Sequence, residues 1–442
     1  MVRLFTIIAF LIGLLGLGEL CLAAPCVPVT EPIATTRFPI IFNAPGWLRG
    51  ANVHGIEAWR YVKKTWTQVP IQVDEVNSDG SYVLEEGIPY TKFTDDGSLD
   101  DNDELSVVGA SLGWQFSHKS VVKQIGARFT RFQRVDFCGS GEKYLGSLLV
   151  GQTAGLAEVP KYTPFYSHGS NEVRTSRYRY SFRDGQPMLI GDVLLQTPGG
   201  EKPVFAGSSF VMPLIPRIFL FPSLYFGESD FTSEIECWRS GPVRSIVAVG
   251  AKLRKFFSLI DLHLFSELVF YDDYFQIPTK IEFIFNPAEY LARGSGLAYV
   301  LKYPQGVDWA ISSNLAALPA SGPESGAIKE TAFEKSKNGV FAVRGSSDLG
   351  SFIANIRVDQ KALKQAPPPY VASRESFSNE GMLAAWPWLK KSSGSLGVFI
   401  EISGVQRGMY DFALDVALSN QAHDNFTDFQ AVSAIWPDPA AY

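Results

Sequence analysis

Six carboxylates fall within the ten residues 95–104: Asp95, Asp96, Asp100, Asp101, Asp103 and Glu104. A second acidic turn, Asp74-Glu75-Val76-Asn77-Ser78-Asp79-Gly80, lies just upstream. Oxygen ligands on tight turns suit a hard cation such as calcium, held at about 2.3–2.6 Å. The expected ligand set is the six carboxylates, with Asn77 and Asp79 added from the upstream turn. That turn also fits the spacing of a calcium loop, with Glu75, Asn77, Asp79 and Gly80 in its first half and Glu86 at the last position, although strands replace the flanking helices that the motif requires. The competing expectations are a solvated acidic loop and a plain hairpin turn. Zinc suits the stretch less, because it contains neither His nor Cys.

Other side chains point to other chemistries. Arg177, Arg179 and Arg183 alternate along 174–183. On a strand they form a basic face, fit either to hold the carboxylates or sulfates of an acidic polymer or to pair with acids on a neighbouring strand. Asp261 and His263 stand two apart, so on a strand they share a face. There an Asp orients a His as a base, or the two form a polar pair at a sheet surface. Tyr166 and His168, in a predicted loop, are the residue types of a lyase-like proton abstraction. Trp386-Pro387-Trp388 offers two aromatic rings for sugar stacking, although tryptophans more often fill cores.

These residues need a frame, and composition indicates which one. The chain has 442 residues, 46% of them hydrophobic and 19% charged, which describes a globular protein of two or three domains. Thirty-two Phe, 17 Tyr, 39 Gly and 27 Pro favour strands and turns over helices. A net charge of −6 argues against nucleic acid as a partner. Arg3 followed by the apolar run 4–17 predicts a signal peptide over 1–23, hence a secreted or periplasmic protein. Export would permit a Cys138–Cys237 disulfide, with Cys26 free or paired elsewhere.

Strand signals recur along the chain. They include 38–42, 51–62, 66–73, 81–84, 105–108, 121–138, 144–150, 174–183, 188–197, 231–239, 243–253, 259–271, 275–285, 299–303, 339–344, 351–358, 397–403 and 410–418. The segment 380–389 is the one with helical character. Residues 205–226 are almost entirely apolar but are cut by Pro213, Pro216 and Pro222, so they read as a buried meander or as a hydrophobic loop able to touch a membrane. Gly- and Pro-rich residues around 151–170 suggest a boundary between an N-terminal β domain, 24–160, and a larger β-sandwich, 161–442. The expected fold class is mostly β, an antiparallel sandwich or supersandwich with few short helices.

Two pairs of segments carry a resemblance. Arg239-Ser240-Gly241-Pro242-Val243-Arg244, followed by 267–271 and Asp272-Asp273, resembles secreted bacterial β-supersandwich proteins, the fold of polysaccharide lyases and galactose-mutarotase-like proteins. Val69-Pro70-Ile71-Gln72-Val73-Asp74-Glu75, followed by Asp100-Asp101-Asn102-Asp103-Glu104-Leu105, looks like uncharacterised exported bacterial proteins. The resemblance implies fold more than activity. Three functional readings stand at this point. The first is a non-catalytic envelope protein, carbohydrate-binding, with cation-stabilised loops and polysaccharide or envelope proteins as partners. The second is a lyase or hydrolase acting on an acidic polysaccharide. The third is a membrane-associated assembly subunit docking through 205–226.

Overall fold

The computed structural model describes residues 38–87, 97–139 (apart from 115, 118–120 and 122), 143–155, 164–218, 222–253, 263–304, 310–312, 331–332, 340–365, 370–373 and 395–421. Their strands form five antiparallel sheets joined by short helical turns, as the aromatic-rich, turn-punctuated sequence requires.

The N-terminal part builds two of them. A three-stranded sheet has β1 (Pro39–Asn43), β6 (Glu104–Val108) and β4 (Ile71–Asp74) in that order. A four-stranded sheet has β3 (Thr65–Val69), β2 (Ile56–Val62), β8 (Lys143–Thr153) and β7 (Phe129–Gly139). Between them lies a core that includes Ile40, Ile71, Val73, Leu105, Val107, Ala58, Leu148 and Val150. β7 begins at Phe129 and not at Val121, because Gly126–Arg128 form a 3-10 turn that leads into it.

The remaining described residues build three sheets. One orders β13 (Gly200–Phe205), β12 (Gln186–Thr197), β11 (Tyr178–Arg183), β10 (Glu172–Arg174) and β9 (Phe165–Ser167). The second orders β15 (Leu224–Gly227), β14 (Ser208–Leu214), β20 (Gly296–Lys302), β26 (Ser395–Glu401), β25 (Tyr370–Ser373) and β22 (Thr331–Ala332). The third has nine strands: β21 (Ala310–Ser312), β23 (Val340–Ser347), β24 (Gly350–Val358), β27 (Gly408–Ser419), β19 (Tyr274–Phe283), β18 (His263–Phe270), β17 (Ser245–Leu253), β16 (Phe231–Ser240) and β5 (Glu86–Gly87). β5 comes from the N-terminal part and closes one edge of this sheet.

The nine-stranded sheet is buried on both faces, and strand periodicity sorts its residues. Val247, Val249, Leu268, Phe270, Phe275, Ile277 and Val416 face the main core shared with the five- and six-stranded sheets. Ile246, Ala248, Val269, Tyr271, Tyr274 and Ala417 face the other way and pack with Phe38 and Leu84 of the N-terminal part. The three-stranded sheet is likewise covered twice. Ile71 and Val73 enter the N-terminal core, so the period of two turns Gln72 and Asp74 toward the nine-stranded sheet. Both are buried there.

Within 205–226, Phe205, Phe210, Met212, Leu214 and Phe226 are buried core residues of the β14–β15 hairpin and the end of β13, whereas Ile218 and Tyr225 are exposed. Cys237 is a free thiol buried under the N-terminal part, so the Cys138–Cys237 bridge is not formed. The segment 380–389 lies outside the described residues.

Candidate functional site: a buried ionic cluster between two sandwiches

Gln72 and Asp74 on β4 and Glu104 on β6 meet Arg244, the last residue of the 239–244 segment. Arg244 directly precedes β17 after the tight turn Gly241-Pro242-Val243, where the Gly241 N–H donates to the Arg244 carbonyl at 3.0 Å. Its side chain is fully buried. The Nε donates to Asp74 Oδ2 at 2.7 Å, Nη2 to Glu104 Oε2 at 2.8 Å, and Nη1 to the Tyr271 hydroxyl at 3.1 Å. The guanidinium also lies 4.9 Å from the centre of the Tyr82 ring. Burial opposes its charge, but Asp74, the neighbouring tyrosines and Glu104 outweigh burial and hold its pKa well above the usual arginine value.

Each anion has further donors. Gln72 Nε2 donates to both Asp74 oxygens, at 2.8 and 3.1 Å, while Gln72 Oε1 accepts from the N–H groups of Val243 and Arg244 at 3.0 and 2.8 Å. Gly241 has no side chain because a Cβ there would sit 2.2 Å from that same Gln72 oxygen. The Tyr82 hydroxyl donates to Glu104 at 2.9 Å. On the far side of Tyr82, its backbone N–H donates to Glu267 Oε1 at 2.9 Å. Burial pushes the Glu267 carboxyl up to about 7, against the Tyr82 N–H and Lys280, which lower it. A second ion pair, Arg357 to Asp415 at 2.7 and 3.0 Å, takes in Gln276 through a 3.1 Å bond to Asp415.

The cluster therefore unites the segments quoted for their resemblance: Gln72 and Asp74, Glu104, Arg244, and Glu267 to Tyr271. Chemically it is a charge-compensated weld. A buried arginine between two carboxylates is tolerable only with this density of hydrogen bonds. Arg244, Glu267 and Tyr271 lie in segments that carry the resemblance but were given no site role from the sequence, and Tyr82 lies in none of them. The available signal was an arginine after a Gly-Pro turn at the head of an apolar strand, matched by an Asp ending the short strand Ile71–Asp74.

The acidic stretches fold against each other, but through their backbones. Asp103 is buried; its Oδ1 accepts the Val76 N–H at 3.0 Å and its Oδ2 the Asp100 N–H at 2.8 Å. Asn102 donates its amide to the Val76 carbonyl, and the Asp100 carboxylate accepts the Asn102 N–H. Asp101, exposed, pairs with Arg49. Asp79 caps the turn by accepting from the Ser81 N–H and hydroxyl, and Asn77 bonds Ser81 as well. Glu86, the last position of the calcium-loop spacing, accepts from Trp238 Nε1 at 2.9 Å instead. Among the described residues no three His, Cys, Asp or Glu side chains group as a metal site. Asp95 and Asp96 lie outside them.

The arginine face sits opposite the buried Tyr178, Tyr180 and Phe182. Arg177 pairs with Asp273 at 3.4 Å. Arg179 lies among Glu172, Asp192 and Glu201 at 3.5–3.7 Å. Arg183 pairs with Glu228 and donates to the Ser208 carbonyl. Tyr166 is buried, its hydroxyl pushed up to about 12 by desolvation. His168 is exposed and stacks flat on Trp238, ring centres 4.7 Å apart. The backbone of His263 starts β18; Asp261, Trp386 and Trp388 lie outside the described residues. A small cavity lined in part by Gln186, Phe210, Glu228 and Ser233 has room for about one water molecule.

No family model matches the chain, and no curated protein matches it. Solved structures resemble it at low identity. An alpha-mannosidase from Enterococcus faecalis V583 shares 10% identity over 93% of this chain, with a TM-score of 0.46. A glycosyl hydrolase family 38 protein from Enterococcus faecalis shares 8% over 92%, with a TM-score of 0.47. The chain spans 44% and 45% of the lengths of these two proteins. A protein from Synechocystis sp. PCC 6803 is covered over its whole length by 60% of this chain, at 8% identity and a TM-score of 0.32. No residue role follows from likenesses of this level.

Proposed function

We propose that the chain is an exported, non-catalytic β-sandwich protein of the cell envelope whose surface binds carbohydrate. One observation carries the non-catalytic part. The meeting of arginine, carboxylate and tyrosine side chains around Arg244 is centred on an arginine with no exposed surface, and its acids already hold donors from the protein. A group that acts on a substrate must reach it, whereas a cluster built on a buried arginine holds the N-terminal strands against the nine-stranded sheet. Carbohydrate contact is assigned to Trp386 and Trp388, since stacked aromatic rings bind sugar faces without any need for turnover. In a panel of neutral and acidic glycans, the expected result is binding with no depolymerised product. Trp386→Ala with Trp388→Ala should weaken that binding by tenfold or more. Product release that disappears in His263→Ala, or in Arg177→Ala with Arg179→Ala, would replace this reading with a lyase or hydrolase.

Calcium belongs to the same proposal, as a stabiliser of the 95–104 stretch, whose Asp100 and Asp101 are exposed. Added calcium is expected to raise the melting temperature, and Asp101→Ala with Asp103→Ala to remove the increment. Equal melting temperatures with calcium and with chelator would refute it.

A further inference from the structure

We infer that Glu267 is a proton-operated catch, holding the 76–84 hairpin to the nine-stranded sheet when neutral and loosening it when charged. The geometry is that of an interface. Glu267 projects from β18 on the same face as Val269 and Tyr271, toward the N-terminal part, and is 8% exposed. Its Oε1 accepts the backbone N–H of Tyr82, in the hairpin closed by the Val76–Tyr82 bridge and the Asn77–Gly80 turn. The Tyr82 hydroxyl then reaches Glu104, and Glu104 reaches Arg244. One residue thus joins the catch to the ionic cluster.

The groups facing Glu267 come from every element around it. Asp79 of the hairpin and Glu104 of β6 bring like charge, and Lys280 of β19 brings opposite charge. Cys237 of β16 lies in the same cross-strand row, since Ala248 pairs with both Cys237 and Glu267. Its thiol is pushed by burial up to about 12, so it stays neutral here. Ionising Glu267 therefore places a charge in a desolvated site beside Asp79 and the Arg244-paired Glu104, with Lys280 as the facing ammonium.

The direction follows from linkage. Burial raises the carboxyl from an ordinary 4.5 to about 7 in the docked state. The docked state thus holds the extra proton between those values. The contribution to docking is complete below the ordinary value and is lost as pH rises through about 7. If the hairpin opens locally, the two values give about a thirty-fold rise in its opening equilibrium between roughly pH 5.5 and pH 8.5.

Amide hydrogen exchange of the full chain, corrected for the intrinsic pH dependence of exchange, reads this opening at residues 76–84. Wild type should lose protection by about that factor, with β19 and β27 unchanged. Glu267→Gln, which keeps the acceptor and cannot ionise, should show a flat profile. Lys280→Met keeps Glu267 and should move the midpoint upward. A wild-type hairpin whose protection does not change with pH would overturn the catch. So would a Glu267→Gln protein that keeps the wild-type profile, or a midpoint unmoved in Lys280→Met.

Discussion

Arg244→Ala is expected to lower the free energy of unfolding by about 3–5 kcal/mol, the usual cost of breaking a buried ion pair from one side. The loss does not come from the attraction alone. Asp74 is 1% exposed and would keep only Gln72 and the more distant Arg239, 3.6 Å away, while Glu104 would keep Tyr82. Asp74 would then be an anion shut away from water, beside a second, part-exposed anion at Glu104. Arg244→Lys retains the charge but not the fork that reaches Asp74, Glu104 and Tyr271 at once, and should fall between. The decisive comparison is the neutral set Arg244→Met, Asp74→Asn and Glu104→Gln. If the cost is an uncompensated charge, this triple variant recovers most of the loss in urea unfolding. A triple variant no more stable than Arg244→Ala would mean that the arginine acts through packing.

Gly87→Ala should be the second most damaging change, at about 2–4 kcal/mol. Gly87 has φ +100°, and an added Cβ would lie 2.5 Å from the Glu236 carbonyl oxygen and 2.8 Å from the Cys237 Cα. Those are backbone atoms of β16, so β5 would have to lift off the sheet edge, taking with it the Glu86–Trp238 bond. Gly80→Ala is the natural control: φ is +78°, but nothing lies within 4 Å of the new Cβ. It should bear only the conformational cost, about 1 kcal/mol. Denaturant unfolding followed by tryptophan emission separates the two, and equal losses would mean that the close approach of β5 to β16 is unimportant.

The architecture was largely legible in the sequence because strand periodicity is local. Tyr178, Tyr180 and Phe182 alternate with arginines, and the structure buries the tyrosines and phenylalanine on one face. The hairpin at Asn77–Gly80 was legible for the same reason. The ionic cluster was not. Its members lie 140 and 170 residues apart in the Arg244–Glu104 and Arg244–Asp74 pairs, and no local pattern says which buried acid answers which buried base. The conspicuous run of charge in the sequence is 95–104. There the packing gives Asp103 two backbone N–H partners and leaves Asp101 to a surface pair with Arg49.

The wide separation of these contacts also bears on how the protein is assembled. Trp238 to Glu86, Asp74 to Arg244 and Tyr82 to Glu267 close loops of 152, 170 and 185 residues. Loops of that size return nothing for the entropy they cost until their far end has been made and folded. When β5 leaves the ribosome, the β16 edge that it completes has yet to be synthesised. The N-terminal sandwich has its own core to condense around, so it can mature first while carrying a two-residue strand with no sheet to join. The larger sandwich, in turn, has an open edge until that strand arrives. Union of the two is thus a late event in the life of the chain, and the interval before it is when the exposed β16 edge is most open to pairing with another molecule.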